Sequence, residues 1–410
     1  MHFKIRQIFV IAIVFKLLIL LFLGGLYTVK PLYSNQIGNK PNPILYAFYL
    51  QDGNSYQTIC TNGYQKKHVT EPKYSIQYMA FLPGFSLLLC SVNWFPASID
   101  MIWYGGVLVN IILWFLLIFA LKYFIDGYYR FHTQKYYIIL FFLLFPTSFF
   151  FHLNYTETLF IPLCLFIWRM VDEKKIKQSA LLGFLLGFVR ITAIPFGFLM
   201  WIKYSINTYK ENISKPILDI FWNKKYITES LTFVLYGFGA LLTFAYFKYE
   251  FGNFNLFFES QKIFYGREIS ISSLFKTLKD ISGLVENNYV YWDSFDFSKE
   301  VFHFNFHFYD KSFRQISYYT LPFVFAVLAT LLLWKKNRKF EIFYCWVMLI
   351  LPMMSDSNSI NRYILQSFPF LFVVAESSSD NKYLRIPVII LTSLLFFLFL
   401  TLHALGFWVA

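Results

Sequence analysis

Charge is what this sequence has least of. Asp, Glu, Lys and Arg make up 14% of its 410 residues, against about a quarter in a soluble domain. With 57% hydrophobic residues and a mean hydropathy of +0.50, the deficit excludes an ordinary water-soluble globule. Several apolar runs near the length of a bilayer crossing make the chain a polytopic membrane protein instead. Other absences narrow the chemistry. The four cysteines, Cys60, Cys90, Cys164 and Cys345, are scattered without metal-ligand spacing, and two fall in apolar runs. Neither a disulfide framework nor a zinc site is expected from them. No Gly-rich phosphate loop, other metal-binding pattern or serine triad stands out. The seven histidines are dispersed; His303 and His307 share a helical spacing but fall in a polar loop. No repeat of fixed period is found, which counts against a transporter assembled from repeats.

What the chain has in excess is positive charge and aromatic surface. Net charge is +13, with 53 Phe and 30 Tyr. In a soluble protein that balance would suggest nucleic acid. Here the basic residues fall mostly in short loops between apolar runs, where they act as topology signals, and the aromatics supply lipid-facing surface and interfacial anchors. No nucleic-acid partner is expected.

The run 7–29 follows Lys4 and Arg6 and is longer than a signal-peptide core, so it reads as a first span with a cytosolic N-terminus. The segment 30–78 then lies outside. The short apolar piece 79–95 is expected not to cross, which keeps the basic loop 122–135 in the cytosol. Residues 101–125 come in, 136–153 go out, and 158–171 return to Lys174, Lys175 and Lys177. The run 179–202 carries Arg190 and Pro195 near its middle and has basic flanks on both sides. A hairpin broken near Arg190 keeps both flanks inside, and irregular backbone at that depth is tolerated when protein covers it. Residues 228–246 go out to a long polar loop, 248–317. Then 318–334 return to the basic run 335–339, 340–354 go out, 363–374 come in and 385–408 go out. About 8–11 spans are expected in a single domain, 1–410. This path puts Asp52, Glu157, the 248–317 loop and Arg362 on one outer face.

Four residues could carry chemistry. Asp52 is a carboxylate at the membrane–water boundary, suited to act as a general base, while a lone aspartate there is more often a solvated loop residue. Arg190 lies inside an apolar run, where an arginine costs at least about 2.5–3.5 kcal/mol and usually faces a cavity and a partner. Glu157 could be that partner or hold a substrate hydroxyl. Arg362 could grip a lipid-linked phosphate bidentately or snorkel to ordinary headgroups. Asn154-Tyr155-Thr156 is a formal glycosylation sequon, expected to lie too close to the membrane for use.

Four stretches in order carry a resemblance. Asp52 with Gly63-Tyr64 and Ala80-Phe81-Leu82-Pro83, then Pro146 with Tyr155-Thr156-Glu157, then Gly187 to Arg190 with Gly197, then Asn361-Arg362-Tyr363 with Phe368-Pro369, resemble the PIG-V family. These are GPI mannosyltransferases and their bacterial relatives, within the GT-C membrane glycosyltransferases. Gln51 stands where the family has tryptophan, and the interval from Gly63 to Pro83 is longer. The resemblance implies an all-α GT-C-type fold with a catalytic first outer loop, the 248–317 loop covering the substrate. It implies inverting transfer of mannose from dolichyl- or polyprenyl-phosphate to a glycolipid acceptor, as in GPI-anchor assembly, with no obligatory cofactor or metal. Asp52 would be catalytic, and Glu157, Arg190, Arg362, Tyr155 and Tyr64 would bind substrate. Membrane lipid and a small membrane subunit would be further partners. The membrane would be that of the endoplasmic reticulum in a eukaryote or the inner membrane in a bacterium. A flippase of lipid-linked sugars and a non-catalytic subunit of a glycolipid-assembly complex remain alternative readings.

Overall fold

The computed structural model describes residues 5–29, 48, 52–65, 76–92, 99–129, 134–267, 270–282, 320–354 and 359–404. The pair His303 and His307, much of the 30–78 segment and the later part of the 248–317 loop lie outside them. Every element among the described residues is helical. The apolar runs become α1 (Ile5–Val29), α4 (Ile99–Tyr128), α5 (Lys135–Leu144), α6 (Glu157–Asp172), α7 (Ile176–Val189) and α8 (Ala193–Glu211), with the polar α2 (Asp52–Asn62) and the short α3 (Gly84–Ser91) lying between α1 and α4. A continuous rod α9 (Lys224–Phe251) follows, then α10 (Leu256–Tyr265), α11 (Ile271–Ser282), α12 (Leu321–Lys335), α13 (Lys339–Met353), α14 (Ile360–Gln366), α15 (Phe368–Asp380) and α16 (Lys382–Ala404).

The chain is an all-α protein with the helices of an integral membrane protein. Three described helices, within α4, α9 and α16, are long and apolar enough to span a bilayer alone, and a bent pair makes a fourth. Helix α1, at 25 residues, is also long enough to cross, and several other apolar runs form shorter helices that end at polar residues or breaks. The bent pair shows why: α5 stops at Phe145, and Pro146 opens a 3₁₀ turn, Pro146–His152, set at 81° to it. A proline at the first position of a new turn is tolerated where it would break a helix interior. At eight residues, α3 reaches only about 12 Å, too short to cross, as its length in the sequence suggested.

The 179–202 run folds as the basic flanks required. Helix α7 ends at Val189, Arg190 is extended (φ −149°, ψ 143°), and α8 begins at Ala193. The chain then doubles back: Lys203 Nζ lies 2.5 Å from Asp172 at the end of α6, Asn207 Nδ2 donates to Asp172 at 3.1 Å, and Lys174 pairs with Glu211. A wedge holds the two arms. Tyr236 of α9 is fully buried, and a β-carbon at Gly183 or Gly197 would lie 2.5 Å from its side chain. One at Gly187 would lie 2.6 Å from its carbonyl oxygen, and one at Gly239 2.6 Å from the Phe188 amide nitrogen. Small residues that let backbones touch are the usual means of packing helices where lipid offers no hydrophobic drive.

One expectation fails. Cys60 of α2 and Cys90 of α3 form a disulfide, with Cα atoms 5.3 Å apart. Their 30-residue separation concealed the pairing of a cysteine on the segment expected outside with one on the short apolar piece expected not to cross; an exterior or luminal compartment would permit such a bond. Cys164 and Cys345 are free and buried.

Candidate functional site

The site is made of helix ends. Glycine at position 53 lets the first turn of α2 lie against the turn before α6. A β-carbon there would stand 3.0 Å from the Phe48 carbonyl and 3.3 Å from that of Asn154. The Asn154 amide donates to the same Phe48 carbonyl at 3.0 Å. This clip sets Asp52, the first residue of α2, beside Glu157, the first residue of α6. A carboxylate in a first turn also suits the positive end of a helix dipole. Arg190 arrives from the break between α7 and α8. Arg362 arrives from α14, a short helix with Ser359 before it and Ser367 after it.

Arg362 joins the parts. Its Nη1 donates to Asp52 Oδ2 at 2.7 Å, and its Nε and Nη2 donate to the two oxygens of Glu157 at 2.9 and 3.2 Å. Arg190 Nη1 donates to Glu157 Oε1 at 2.5 Å. The guanidinium of Arg362 lies 5.0 Å from the Tyr155 ring centre and 5.3 Å from that of Phe150, and Arg190 lies 5.6 Å from Phe160, within cation–π range. Glu157 is wholly buried; the side chains of Arg362, Asp52 and Arg190 are 6%, 14% and 15% exposed. The two acids and two arginines balance, so the cluster can be dry without a net buried charge.

Two features of this arrangement bear on chemistry. Of the four carboxylate oxygens, Asp52 Oδ1 alone accepts nothing from a described residue, since Asp52 Oδ2 and both oxygens of Glu157 are occupied. Arg362 has all three guanidinium nitrogens engaged, whereas Arg190 gives only Nη1 to a described carboxylate. The picture of Arg362 as a snorkelling cation at headgroup depth does not hold, because it sits inside an ion cluster. Among the described residues no three His, Cys, Asp or Glu side chains gather as a metal-binding set.

The structure thus brings together Asp52, Tyr155, Glu157, Arg190 and Arg362. Tyr64 is not among them. Its hydroxyl donates to the Phe81 carbonyl at 2.6 Å and its ring meets Phe247 edge-on at 5.0 Å, so it fastens α2 to α9. The sequon is closed, since Asn154 is completely buried.

One neighbouring group escaped the sequence reading. Lys16, in the middle of α1, is buried and donates to Asn110 Oδ1 at 2.5 Å, with His152 Nδ1 at 3.5 Å. Asn110 in turn donates to the Leu153 carbonyl at 2.7 Å, steadying the turn that leads to Glu157. The signal existed: a lysine within an apolar run calls for a partner by the argument applied to Arg190.

At the opposite end of the molecule charges are paired nearer to water. Glu376 Oε1 accepts from Lys336 at 2.8 Å and Arg338 at 3.2 Å. In the turn between α6 and α7, a hydrogen bond to Glu173 holds the Lys175 ammonium above its ordinary pKa. Compared with protein-family models, curated proteins and solved structures, the chain matches none.

Proposed function

We propose that this protein is an inverting membrane glycosyltransferase that moves mannose from a dolichyl- or polyprenyl-phosphate donor to a hydroxyl of a glycolipid acceptor. The observation that carries the reading is the cluster of Asp52, Glu157, Arg190 and Arg362, in which, among the described residues, one carboxylate oxygen accepts no bond and one arginine is not fully engaged. Four charges from distant parts of an apolar chain converge at one end of it, and their order and neighbours resemble those of the PIG-V family.

In this mechanism the acceptor oxygen attacks C1 of the sugar from the face opposite the phosphate. The new C1–O bond forms as the bond to the phosphate oxygen breaks, and the polyprenyl phosphate leaves with the electron pair. Asp52 Oδ1 takes the acceptor's proton. Arg362 fixes that carboxylate through Oδ2 and ties it to Glu157. Arg190, with donors to spare, meets the phosphate, whose charge grows as it leaves. The sequence reading gave the phosphate to Arg362; the saturation of Arg362 favours Arg190.

The test is incubation of the purified protein with radiolabelled polyprenyl-phosphate mannose and a membrane glycolipid extract. A labelled glycolipid formed by wild type, and lost in Asp52→Asn with donor binding retained, supports the assignment. Donor that is bound or moved across vesicles without any transfer would favour the flippase reading.

A further inference from the structure

Four buried carboxamides, each close along the chain to a residue of the charge cluster or its backbone clip, carry polar atoms without a partner among the described residues. Among the described residues, Gln57 and Gln366 find no partner at either side-chain nitrogen or oxygen, nor does Asn154, and Asn361 finds none at Nδ2. Their exposures are 5%, 1%, 0% and 3%. Buried amides are ordinarily hydrogen-bonded, and each orphan costs about 1–3 kcal/mol. Asn110, which bonds the Leu153 carbonyl next to Asn154, shows the ordinary case with both of its ends engaged.

The placement of the four is systematic. Asn154 adjoins Tyr155, three residues before Glu157, and its carbonyl faces Gly53. Gln57 lies one helical turn beyond Gly53, on the same face of α2. Asn361 directly precedes Arg362, and Gln366 lies one turn beyond it on α14. Every described carboxamide that is buried and unpartnered is therefore within one turn of a residue bonded into the cluster or clipped against it.

We infer that these amides form the recognition surface for the hydroxyls of the transferred hexose. A carboxamide offers two donors and a two-lone-pair acceptor, so it can give one bond to a hydroxyl and take another. Charged groups bind the phosphate and the proton, and uncharged groups of mixed sense suit the sugar between them. The orphan cost is then offset only when a polyol is bound. A site built to hydrogen-bond hydroxyls also discriminates strongly against a ligand lacking them. This inference rests on the glycosyltransferase reading and names the sugar-binding part of the same site.

Leucine is close in size to both amides, so Gln57→Leu, Asn154→Leu and Asn361→Leu each remove hydrogen bonding without opening a cavity. Binding of polyprenyl-phosphate mannose and of bare polyprenyl phosphate is measured on full-length protein in nanodiscs, together with thermal melting. Wild type is expected to prefer the mannosylated lipid, and each variant to lose about tenfold of that preference. Bare polyprenyl phosphate should bind equally to all. Melting temperature should hold or rise, because an unsatisfied buried amide has been replaced by an apolar group. A preference kept in the variants, or lost only together with a fall in melting temperature, overturns the assignment and marks the amides as structural. No preference in wild type itself would instead bring down the glycosyltransferase reading, and this inference with it.

Discussion

Two charge clusters, one at each end of the molecule, differ in make-up and in burial. At the Asp52 end, two arginines and two carboxylates interlock, with Glu157 wholly buried and the others at most 15% exposed. At the other end Glu376 accepts from Lys336 and Arg338, whose side chains are 28% and 22% exposed. Arg338 also lies over Tyr128 and Tyr129, at 5.4 and 5.5 Å. Glu376 is itself only 11% exposed, but its two cations reach toward water, which lessens the desolvation that the second cluster carries. The first carries the desolvation of four ions and tolerates the loss of none.

The contrast can be broken most sharply at Asp52. Asp52→Asn keeps the shape and the bond from Arg362 but removes basicity, and should lower turnover by roughly 10²–10⁴-fold. Initial rates with saturating donor, alongside a donor-binding isotherm that stays put, check this. Transfer above about a tenth of the normal rate would place the base elsewhere, first at Glu157.

Glu157→Gln tests the cost of imbalance. It leaves two arginines facing one carboxylate in a dry site, and should destabilise the protein by about 3–5 kcal/mol, read as a large fall in melting temperature. A smaller effect is expected from Gly187→Ala. The added methyl meets the Tyr236 carbonyl, and relief requires moving the hairpin tip that carries Arg190, at about 1–3 kcal/mol. Melting should fall, and donor affinity should fall with it, since Arg190 follows the tip. An unchanged affinity would detach Arg190 from the donor phosphate. Glu376→Gln leaves two partly exposed cations facing a neutral amide, and should cost less than Glu157→Gln and leave transfer untouched. If it proved as damaging as Glu157→Gln, the distinction between the two ends would collapse.

Much of this arrangement could be read from the sequence because charge is so rare there. Arg190 inside an apolar run, Glu157 at the start of one and Asp52 after one each stand out against a 14% background. The hairpin was legible from lysines flanking both sides of 179–202. What could not be read was who meets whom. Arg362 and Asp52 are 310 residues apart, and nothing local in Asn361-Arg362-Tyr363 says that its guanidinium will be consumed by carboxylates. The Cys60–Cys90 bond is equally non-local, linking a polar helix to a short apolar one. Tyr64 misled for the opposite reason: motif order suggested a ligand contact, and the ring packs on Phe247.

The chain order of the cluster has a consequence for biogenesis. A ribosome delivers Asp52 and Glu157 first, Arg190 next and Arg362 much later. Until α14 is inserted, the nascent cluster carries one uncompensated negative charge in a site meant to be closed. Arrival of Arg362 completes the neutral set and ties early helices to late ones in a single step. A chain truncated before residue 362 should therefore be held by the insertion machinery or by membrane chaperones and degraded, even with most of its helices already in the membrane. The cluster would thus serve as a check that synthesis has gone far enough.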